Sequence, residues 1–361
     1  MKMDMNHIPL WTEDLDRTLG NIPWISGLAG RSVMMTGAGG LICSSVADLL
    51  IRYNETHPEP VRIIAAGRSE KRIRERFGKY AERPYFTFAV YDATKANPDI
   101  PVRPDYIIHG AGNSSPDLIV REPVETMMGN ISGVYYLLEY ARKNAVKRLL
   151  YISSSEVYGK KESPEPFREG EYGYVDLLAP RSSYAVGKSA AETLCVSFAA
   201  EYGVESVIVR PGHVYGPAAA EGDRHVSVQW AYDAARGEDL VMKSDGRQTR
   251  SYCYCLDVAS AILTVLLKGQ CGQAYNISDP GAVISIRRMA EILADTAGVQ
   301  LKTGTATVNE QKTFNPMDNS SLDGSSLAGL GWKAGVDAGT GLEHTVRILK
   351  ERIREELQDG M

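Results

Sequence analysis

The sequence predicts an α/β fold, a doubly wound parallel sheet with a smaller, interleaved C-terminal lobe. Three observations predict it. Short apolar strands alternate with amphipathic helices from Ser32 to Val209, and such alternation builds a parallel sheet covered on both faces. The first strand runs into a glycine-rich turn, Thr36-Gly37-Ala38-Gly39-Gly40, and then into a helix. Past Pro211 the alternation loosens into helical segments separated by short strands, which suits a second lobe.

Each element follows from its residues. Residues 1–30 mix acids with Trp11 and Trp24 and read as an N-terminal extension with one short helix, Thr12 to Leu19. Val33 to Met35 is the first strand. The helix after the glycine turn sets Val46, Leu49, Leu50 and Tyr53 at i, i+3, i+4 and i+7, a single apolar face. Val61–Ala66 and Phe86–Val90 are the next buried-type strands, the latter closed by Tyr91-Asp92. Tyr106–His109 is the fourth and runs into Gly110-Ala111-Gly112. A helix is expected over about 123–143, a fifth strand over Arg148–Ser153, and a helix over about 183–202 with Ala191, Leu194, Cys195 and Phe198 along one face. Glu205–Val209 is the sixth strand; helices at 226–236, 258–267 and 286–297 follow. The expected division is 1–30 as the extension and 31–212 as the cofactor-binding domain, with 255–278 returning to it. Residues 213–254 and 279–361 then form the substrate-binding lobe. Ligands of such a sheet lie beyond the C-terminal ends of its strands.

The bulk properties remove several alternatives. Apolar residues make up 43% and charged residues 24% of the 361, so the chain can bury a core. A net charge of −5 disfavours a nucleic-acid partner, which would select a basic surface. No apolar run reaches the roughly 18 residues of a membrane span; Ala259 to Leu267 is interrupted by Ser260 and Thr264. Residues 1–24 lack the continuous apolar stretch of a secretory signal. The five cysteines are odd in number and scattered, which suits free thiols in a reducing cytoplasm. Cys253 and Cys255 have the wrong spacing for a CxxC metal or redox half-site; on a strand they would share one face. No metal site is expected.

Strand, glycine turn and helix in that order suit the pyrophosphate of a dinucleotide. Glycine lets the backbone approach, and the helix start offers free N–H groups at the positive end of the helix dipole. Gly37 and Gly40 hold the first two positions of a TGxxGxxG loop, and Cys43 stands where the third glycine would allow the closest helix–strand packing. A plain tight turn is the competing reading. The adenosine ribose should meet the end of the second strand. That end carries Arg68, followed by Lys71 and Arg72, rather than an acid. Arg68 suits the 2′-phosphate of NADP, or stacking on adenine, so NAD and NADP stay open. Asp92 is placed to reach the adenine, and an ordinary turn aspartate is its alternative.

Tyr184 and Lys188 stand four apart on one helix face. A nearby ammonium lowers a phenol's pKa, and the phenolate can take a proton from an alcohol as hydride leaves its carbon. Ser154, at the end of the fifth strand, can polarise the same oxygen.

With these residues in place, the chain from Ser32 onward resembles the extended short-chain dehydrogenases that act on nucleotide sugars, the NAD-dependent epimerase/dehydratase family with its Rossmann sheet. Tyr151-Ile-Ser-Ser-Ser-Glu-Val-Tyr-Gly159, Arg210-Pro-Gly-His-Val-Tyr-Gly-Pro217 and Ala274-Tyr-Asn-Ile277 carry the likeness. Within the family the greatest similarity is to UDP-glucuronate decarboxylases, through Ser154-Ser155-Glu156-Val-Tyr-Gly, Pro180-Arg-Ser-Ser-Tyr-Ala-Val-Gly-Lys188, Gln248-Thr-Arg-Ser251 and the sugar-facing loop Asn113-Ser-Ser-Pro116.

The resemblance implies catalysis by Ser154, Tyr184 and Lys188 with Glu156 and Ser155 beside them. It implies cofactor contacts from Gly37, Gly39, Gly40, Leu41, Ile42, Arg68, Asp92, Ala111, Tyr184 and Lys188, and substrate contacts from Ser114, Ser115, His213 and Arg250. His213 departs from the family's usual Asn. Oxidation at sugar C4 makes a ketone, after which a C5 carboxylate leaves as CO2, or the C5 proton becomes acidic for dehydration or epimerisation. Ser155 stands where the 4,6-dehydratases carry an Asp acid, which turns the expectation towards decarboxylation or epimerisation. A net NADPH-dependent ketoreductase and a non-catalytic NAD(P)-binding scaffold remain as alternatives. Relatives pair as homodimers through the helices after strands four and five, here about 123–143 and 183–202.

Overall fold

The computed structural model describes residues 5–96, 100–307, 310–311, 314–315 and 317–359; the first four residues of the expected extension lie outside them. The strands in chain order are β1 (Ser32–Thr36), β2 (Arg62–Gly67), β3 (Phe86–Val90), β4 (Tyr106–His109), β5 (Arg148–Ile152), β6 (Ser206–Pro211), β7 (His213–Tyr215), β8 (Leu240–Met242), β9 (Thr249–Tyr254) and β10 (Ala274–Ile277), followed by short strands further on. Seven of them form one sheet in the order β3-β2-β1-β4-β5-β6-β10. Every neighbouring pair in it is parallel. This is the doubly wound order, and the direction of succession reverses between β1 and β4, where a crevice opens.

The helices are α1 (Pro9–Gly20), α2 (Leu41–Thr56), α3 (Glu70–Phe77), α4 (Pro116–Arg121), α5 (Pro123–Lys143), α6 (Ser183–Tyr202), α7 (Val226–Arg236), α8 (Cys255–Lys268) and α9 (Ile286–Ala297), then Ser325–Ala328 and Ala338–Asp359. Strand alternation divides the sheet's side chains between two cores. Met34, Ile64, Ile107, Leu149 and Ile208 face α5 and α6. Val33, Met35, Ile63, Ile108, Leu150 and Val207 face α2 and α8. The stripe Val46, Leu49, Leu50 and Tyr53 on α2 is buried. Helix α8 is buried on nearly every side, as its all-round apolar sequence requires. With β10 it places the segment 255–277 against the central sheet.

Three parts differ from the sequence expectations. Helix α4 was not anticipated: its six residues are too short to show a period, and Pro116 at the first turn starts it. The C-terminal helix Ala338–Asp359 was not anticipated either. Its charged sequence conceals a stripe of Leu342, Val346 and Leu349, all buried, against α7 and α9. Strand β9 stops at Tyr254 and Cys255 opens α8, so alternation does not relate Cys253 and Cys255, although both are buried.

The N-terminal extension packs on the body. Helix α1 lies against α2 and α8 and buries Trp11 and Leu15 completely. Its Asp14, also fully buried, accepts from Tyr254 Oη at 2.8 Å, meets His344 Nδ1 at 3.0 Å and pairs with Arg17. This one carboxylate ties α1 to β9 and to the C-terminal helix. No helix among the described residues is long and apolar enough to cross a membrane. Removing one partner of a buried charge cluster leaves the others uncompensated. Asp14→Ala is therefore expected to lower stability by about 3 kcal/mol, measured by urea unfolding.

Candidate active site

The glycine turn after β1 is pressed against the end of β4. Gly37 has φ +74°, and a Cβ there would lie 3.0 Å from the Ala111 N and from the Gly110 carbonyl. Only glycine combines that dihedral with that approach. Gly39 borders open space. Gly40 is the N-cap of α2 and no side chain caps the helix, which leaves the helix start at Leu41 and Ile42 free to receive an anion. Thr36 Oγ1 lies 2.7 Å from His109 Nδ1 and accepts from the Ala111 N at 3.2 Å, latching the ends of β1 and β4 together.

Cys43, in the third glycine position, is accommodated by a glycine elsewhere. Its buried Sγ donates to the Thr36 carbonyl at 3.3 Å, and a Cβ at Gly110 would sit 2.5 Å from that sulfur. Burial pushes the thiol up to about 12, with Lys188 pulling the other way. The space that a third glycine would leave on α2 is supplied from β4.

At the second strand's end Arg68 is exposed and forms no ion pair among the described residues. Its charge helps hold the Asp92 carboxyl low, after the hydrogen bonds from Thr94 N and Oγ1. Asp92 Oδ1 receives both of those bonds, at 3.0 and 2.8 Å. The aspartate thus caps its own turn, the alternative weighed from sequence.

Tyr184 and Lys188 rise from α6 toward the end of β5, 7% and 6% exposed. Lys188 Nζ donates to the Ile152 carbonyl at 2.8 Å and sits 4.8 Å from the centre of the Tyr151 ring and 5.8 Å from that of Tyr184. Burial lowers the ammonium to about 8, against the raising influence of Glu192. The phenol departs from expectation. Burial first, then the Glu156 charge, pushes Tyr184 up to about 12, opposed by a hydrogen bond with Ser154 and by Arg181. The protein alone keeps this phenol protonated, and a cationic group brought beside it would favour the phenolate.

Glu156 forms a bidentate pair with Arg181, at 2.9 and 3.0 Å. Both residues are largely shielded, and Glu156 stands in the turn Ser155–Tyr158, whose N-cap is Ser154. Ser155 is buried. Arg250, 2% exposed, is no surface ion pair. Its guanidinium serves the chain's own carbonyls, those of Thr249, Asp318 and Met317, at 2.9, 3.2 and 2.6 Å. His213 on β7 pairs in register with Tyr252 of β9. Burial, Arg250 and His225 lower it to about 3, which favours the neutral ring, and among the described residues its Nδ1 has no hydrogen-bond partner. Ser114 and Ser115 line a cavity of about 490 Å³ together with Asn113, Asp117, Asp223 and His225.

The comparisons with known proteins agree with this geometry. The NAD dependent epimerase/dehydratase family matches residues 33–278. The chain belongs to this family. UDP-glucuronic acid decarboxylase 6 of Arabidopsis thaliana is 31% identical over 249 residues, 69% of each chain. A trifunctional UDP-glucose 4,6-dehydratase/3,5-epimerase/reductase of the same plant is 29% identical over 330 residues, 88% of this chain and 46% of that protein. The fold matches that of Thermus thermophilus UDP-glucose 4-epimerase in complex with NAD, at TM-score 0.74 and 24% identity over 88% of this chain and 99% of the other.

The residues present fit the family's dinucleotide. The Gly37 approach leaves no room for a side chain, Gly39 opens outward, and α2 begins uncapped. Among the described residues no group of three or more His, Cys, Asp and Glu side chains is arranged to hold a metal.

Sequence reasoning gave no role to Arg181, although it stands three positions before Tyr184. It also missed the Asp223–His225 pair, 2.6 Å apart, in a loop without periodicity. The buried pair of Arg210 with Glu192, at 2.9 and 2.6 Å, fixes α6 to the end of β6 and lies inside the quoted Arg210-Pro-Gly-His motif.

Overpacking a tight core contact costs about 1–3 kcal/mol. Gly110→Ala is expected to lower stability by that amount in denaturant unfolding and to weaken dinucleotide binding. Cys43→Ala in the same chain removes the sulfur and is expected to recover most of both.

Proposed function

We propose that this chain is a nucleotide-sugar-modifying enzyme that oxidises the sugar at C4 with bound NAD(P) and decarboxylates a sugar acid such as UDP-glucuronate. The observation that carries the reading is the buried Tyr184 with the buried Lys188 ammonium 5.8 Å from its ring centre, Ser154 at the adjoining end of β5, and Glu156 paired to Arg181 beside it. Bound dinucleotide supplies the hydride acceptor and, later in the cycle, the donor. Tyr184 Oη accepts the C4 hydroxyl proton. Ser154 orients that hydroxyl, and Lys188 holds positive charge close to the phenol. A ketone at C4 makes a C5 carboxylate a β-keto acid, whose loss of CO2 needs no strong acid. Ser155 suits this outcome, because a serine hydroxyl is a poor proton donor to a leaving hydroxyl at C6. Glu156, set by Arg181, organises the site near C5 or acts as base there.

A 4,6-dehydratase or 4-epimerase is the second reading, favoured by the 88% coverage of this chain in the match to the trifunctional dehydratase. An NADPH-dependent ketoreductase is the third, favoured by the exposed Arg68, which forms no ion pair among the described residues. NAD is the cofactor the family's description names; Arg68 keeps NADP in the proposal. The homodimer belongs to the proposal as well. Val124, Met128 and Tyr135 on α5 and Val196 and Tyr202 on α6 are exposed by 43–67%, and a second copy pairing through these helices would cover them. Five free cysteines suit a reducing cytoplasm.

UDP-glucuronate given to the dinucleotide-loaded protein is expected to release CO2 and yield UDP-xylose or its 4-keto form, read by mass spectrometry. Loss of one water instead indicates dehydration, and an isobaric product epimerisation. Stoichiometric consumption of added NADPH indicates the reductase. Tyr184→Phe is expected to slow turnover by about 10²–10⁴-fold while leaving the fold intact. The dinucleotide released on denaturing the purified protein identifies the cofactor, and NAD+ alone removes the Arg68 argument.

A further inference from the structure

Four arginines are placed to receive the carboxylate of a sugar acid: Arg181, Arg210, Arg224 and Arg250. Their partners separate them. Arg250 gives its terminal nitrogens to the carbonyls of Thr249, Asp318 and Met317, and a carbonyl fixed in the chain cannot step aside for a ligand. Arg210 forks onto Glu192, with side chains only 3% and 9% exposed, and also holds Tyr158 Oη and the Glu169 carbonyl, at 2.9 and 2.8 Å. Arg224 meets Asp117 at 3.6 Å, with both side chains exposed, where water screens the charge.

Arg181 differs from all three. A single side-chain carboxylate holds it, in bidentate form at 2.9 and 3.0 Å, and the two side chains keep 18% and 19% of their surface. A guanidinium carries five N–H groups, and Glu156 engages only the terminal nitrogens. Arg181 Nε is buried without a hydrogen-bond partner among the described residues, a cost that a ligand oxygen would relieve. The pair is also well placed. Arg181 lies in the turn Pro180–Ser182, three residues ahead of Tyr184, and Glu156 follows Ser154 by two. The turn at 180–182 packs on α4, whose Asp117 and Leu118 line the cavity of about 490 Å³ with Ser114 and Ser115. The Glu156 backbone N donates to Ser154 Oγ at 3.2 Å, so its side chain can swing away while its turn stays anchored.

We propose that Arg181 reads the carboxylate of a sugar-acid substrate by exchange. The ligand carboxylate replaces Glu156 on the guanidinium fork, and a neutral sugar, with no carboxylate to offer, leaves the pair closed. The two carboxylates match in charge and shape, so one bidentate contact replaces another. That the acid belongs to a nucleotide sugar rests on the function proposed above; the exchange of Glu156 for an incoming carboxylate does not.

Binding is read by isothermal titration calorimetry on the dinucleotide-loaded Tyr184→Phe protein, in which turnover does not intervene. This parent is expected to bind UDP-glucuronate more tightly than UDP-glucose. Adding Arg181→Met should weaken UDP-glucuronate about 10–100-fold and leave UDP-glucose unchanged. Arg181→Lys keeps the charge without the fork and should lose most of the same preference, which decides the matter if Arg181→Met folds poorly. Glu156→Gln removes the resident competitor and should strengthen UDP-glucuronate severalfold, but not UDP-glucose. That gain should vanish when Arg181→Met is added. Equal affinity of the parent for the two sugars overturns the proposal, as do equal losses for both in the Arg181 variants. A Glu156→Gln protein that binds UDP-glucuronate no better than the parent overturns it too.

The exchange is also read without a nucleotide sugar, by phenylglyoxal labelling of Arg181 mapped by peptide mass spectrometry. Labelling should be several times faster in Glu156→Gln than in the wild type, and free glucuronate, but not glucose, should slow it. A parent that binds neither UDP-sugar removes the nucleotide-sugar reading, and the labelling then decides the exchange. An unchanged rate in Glu156→Gln, or equal protection by glucose, overturns it.

Discussion

A buried ammonium organises the edge of the sheet that carries the candidate site. Lys188 Nζ has almost no contact with solvent, and it is tolerable there because the Ile152 carbonyl accepts from it, the Tyr151 ring lies beneath it and Glu192 stands within electrostatic reach. Those three supports come from β5 and from α6 itself, so the ammonium exists only where helix and sheet are correctly seated. Its field then acts on its surroundings. It adds to burial in holding His109 neutral, at about 3, and a neutral His109 can share a hydrogen bond with Thr36, which in turn receives the Ala111 N–H. The placement of the glycine turn against β4 is thereby linked to Lys188.

The sheet explains why these groups meet. Parallel strands bring the ends of β1, β4 and β5 to one edge in adjacent positions, and each end delivers a different part: the turn at Gly37, the backbone at Gly110 to Gly112, and the hydroxyl of Ser154. Helix α6 crosses that edge and is fixed by the buried Arg210–Glu192 pair. The same glutamate that anchors α6 also stabilises the Lys188 charge, so anchoring and electrostatic tuning are one device. The pairing of Cys43 with Gly110 shows how such an edge tolerates sequence change. Close packing constrains the sum of the two side chains, and a larger residue on α2 is offset by the absence of one on β4.

Much of the fold was legible because two periods, of 2 and of about 3.6, are written over long stretches from Ser32 to Val209. Helices α5, α6, α7 and α9 begin and end where their patterns do. The C-terminal helix escaped because Glu, Arg and Lys crowd its stripe, and α4 because six residues hold no period. The grouping of Ser154, Tyr184 and Lys188 was visible through local spacing, Tyr184 to Lys188, and through its order after the glycine turn. The charge partners were not, because Glu156–Arg181 and Arg210–Glu192 depend on which segments the fold brings together, and Asp223–His225 lies in a loop without periodicity. The direction of the Tyr184 shift was also illegible from spacing. It is set by how deeply the ring is buried, which a helix position alone does not determine.

Those same pairs bear on how an acidic chain can receive an acidic ligand. Four arginines at this end of the molecule are already engaged: Arg181 by Glu156, Arg210 by Glu192, Arg224 by Asp117, and Arg250 by three carbonyls. A buried guanidinium without a partner would be costly in the free protein, so three of these charges sit in neutral pairs and the fourth is met by carbonyl oxygens. Backbone N–H groups at the uncapped start of α2 are then free for negative ligand groups, and any further anion must exchange with a partner in one of the pairs. An exchange of that kind costs little, since one charged contact replaces another of the same class. It also discriminates, because a ligand group must match the carboxylate it displaces in charge and in forked geometry. The net charge of the chain is accordingly a poor guide to what it binds. Which pair is open to displacement is the better one, and Glu156–Arg181 is the pair that stands beside Tyr184.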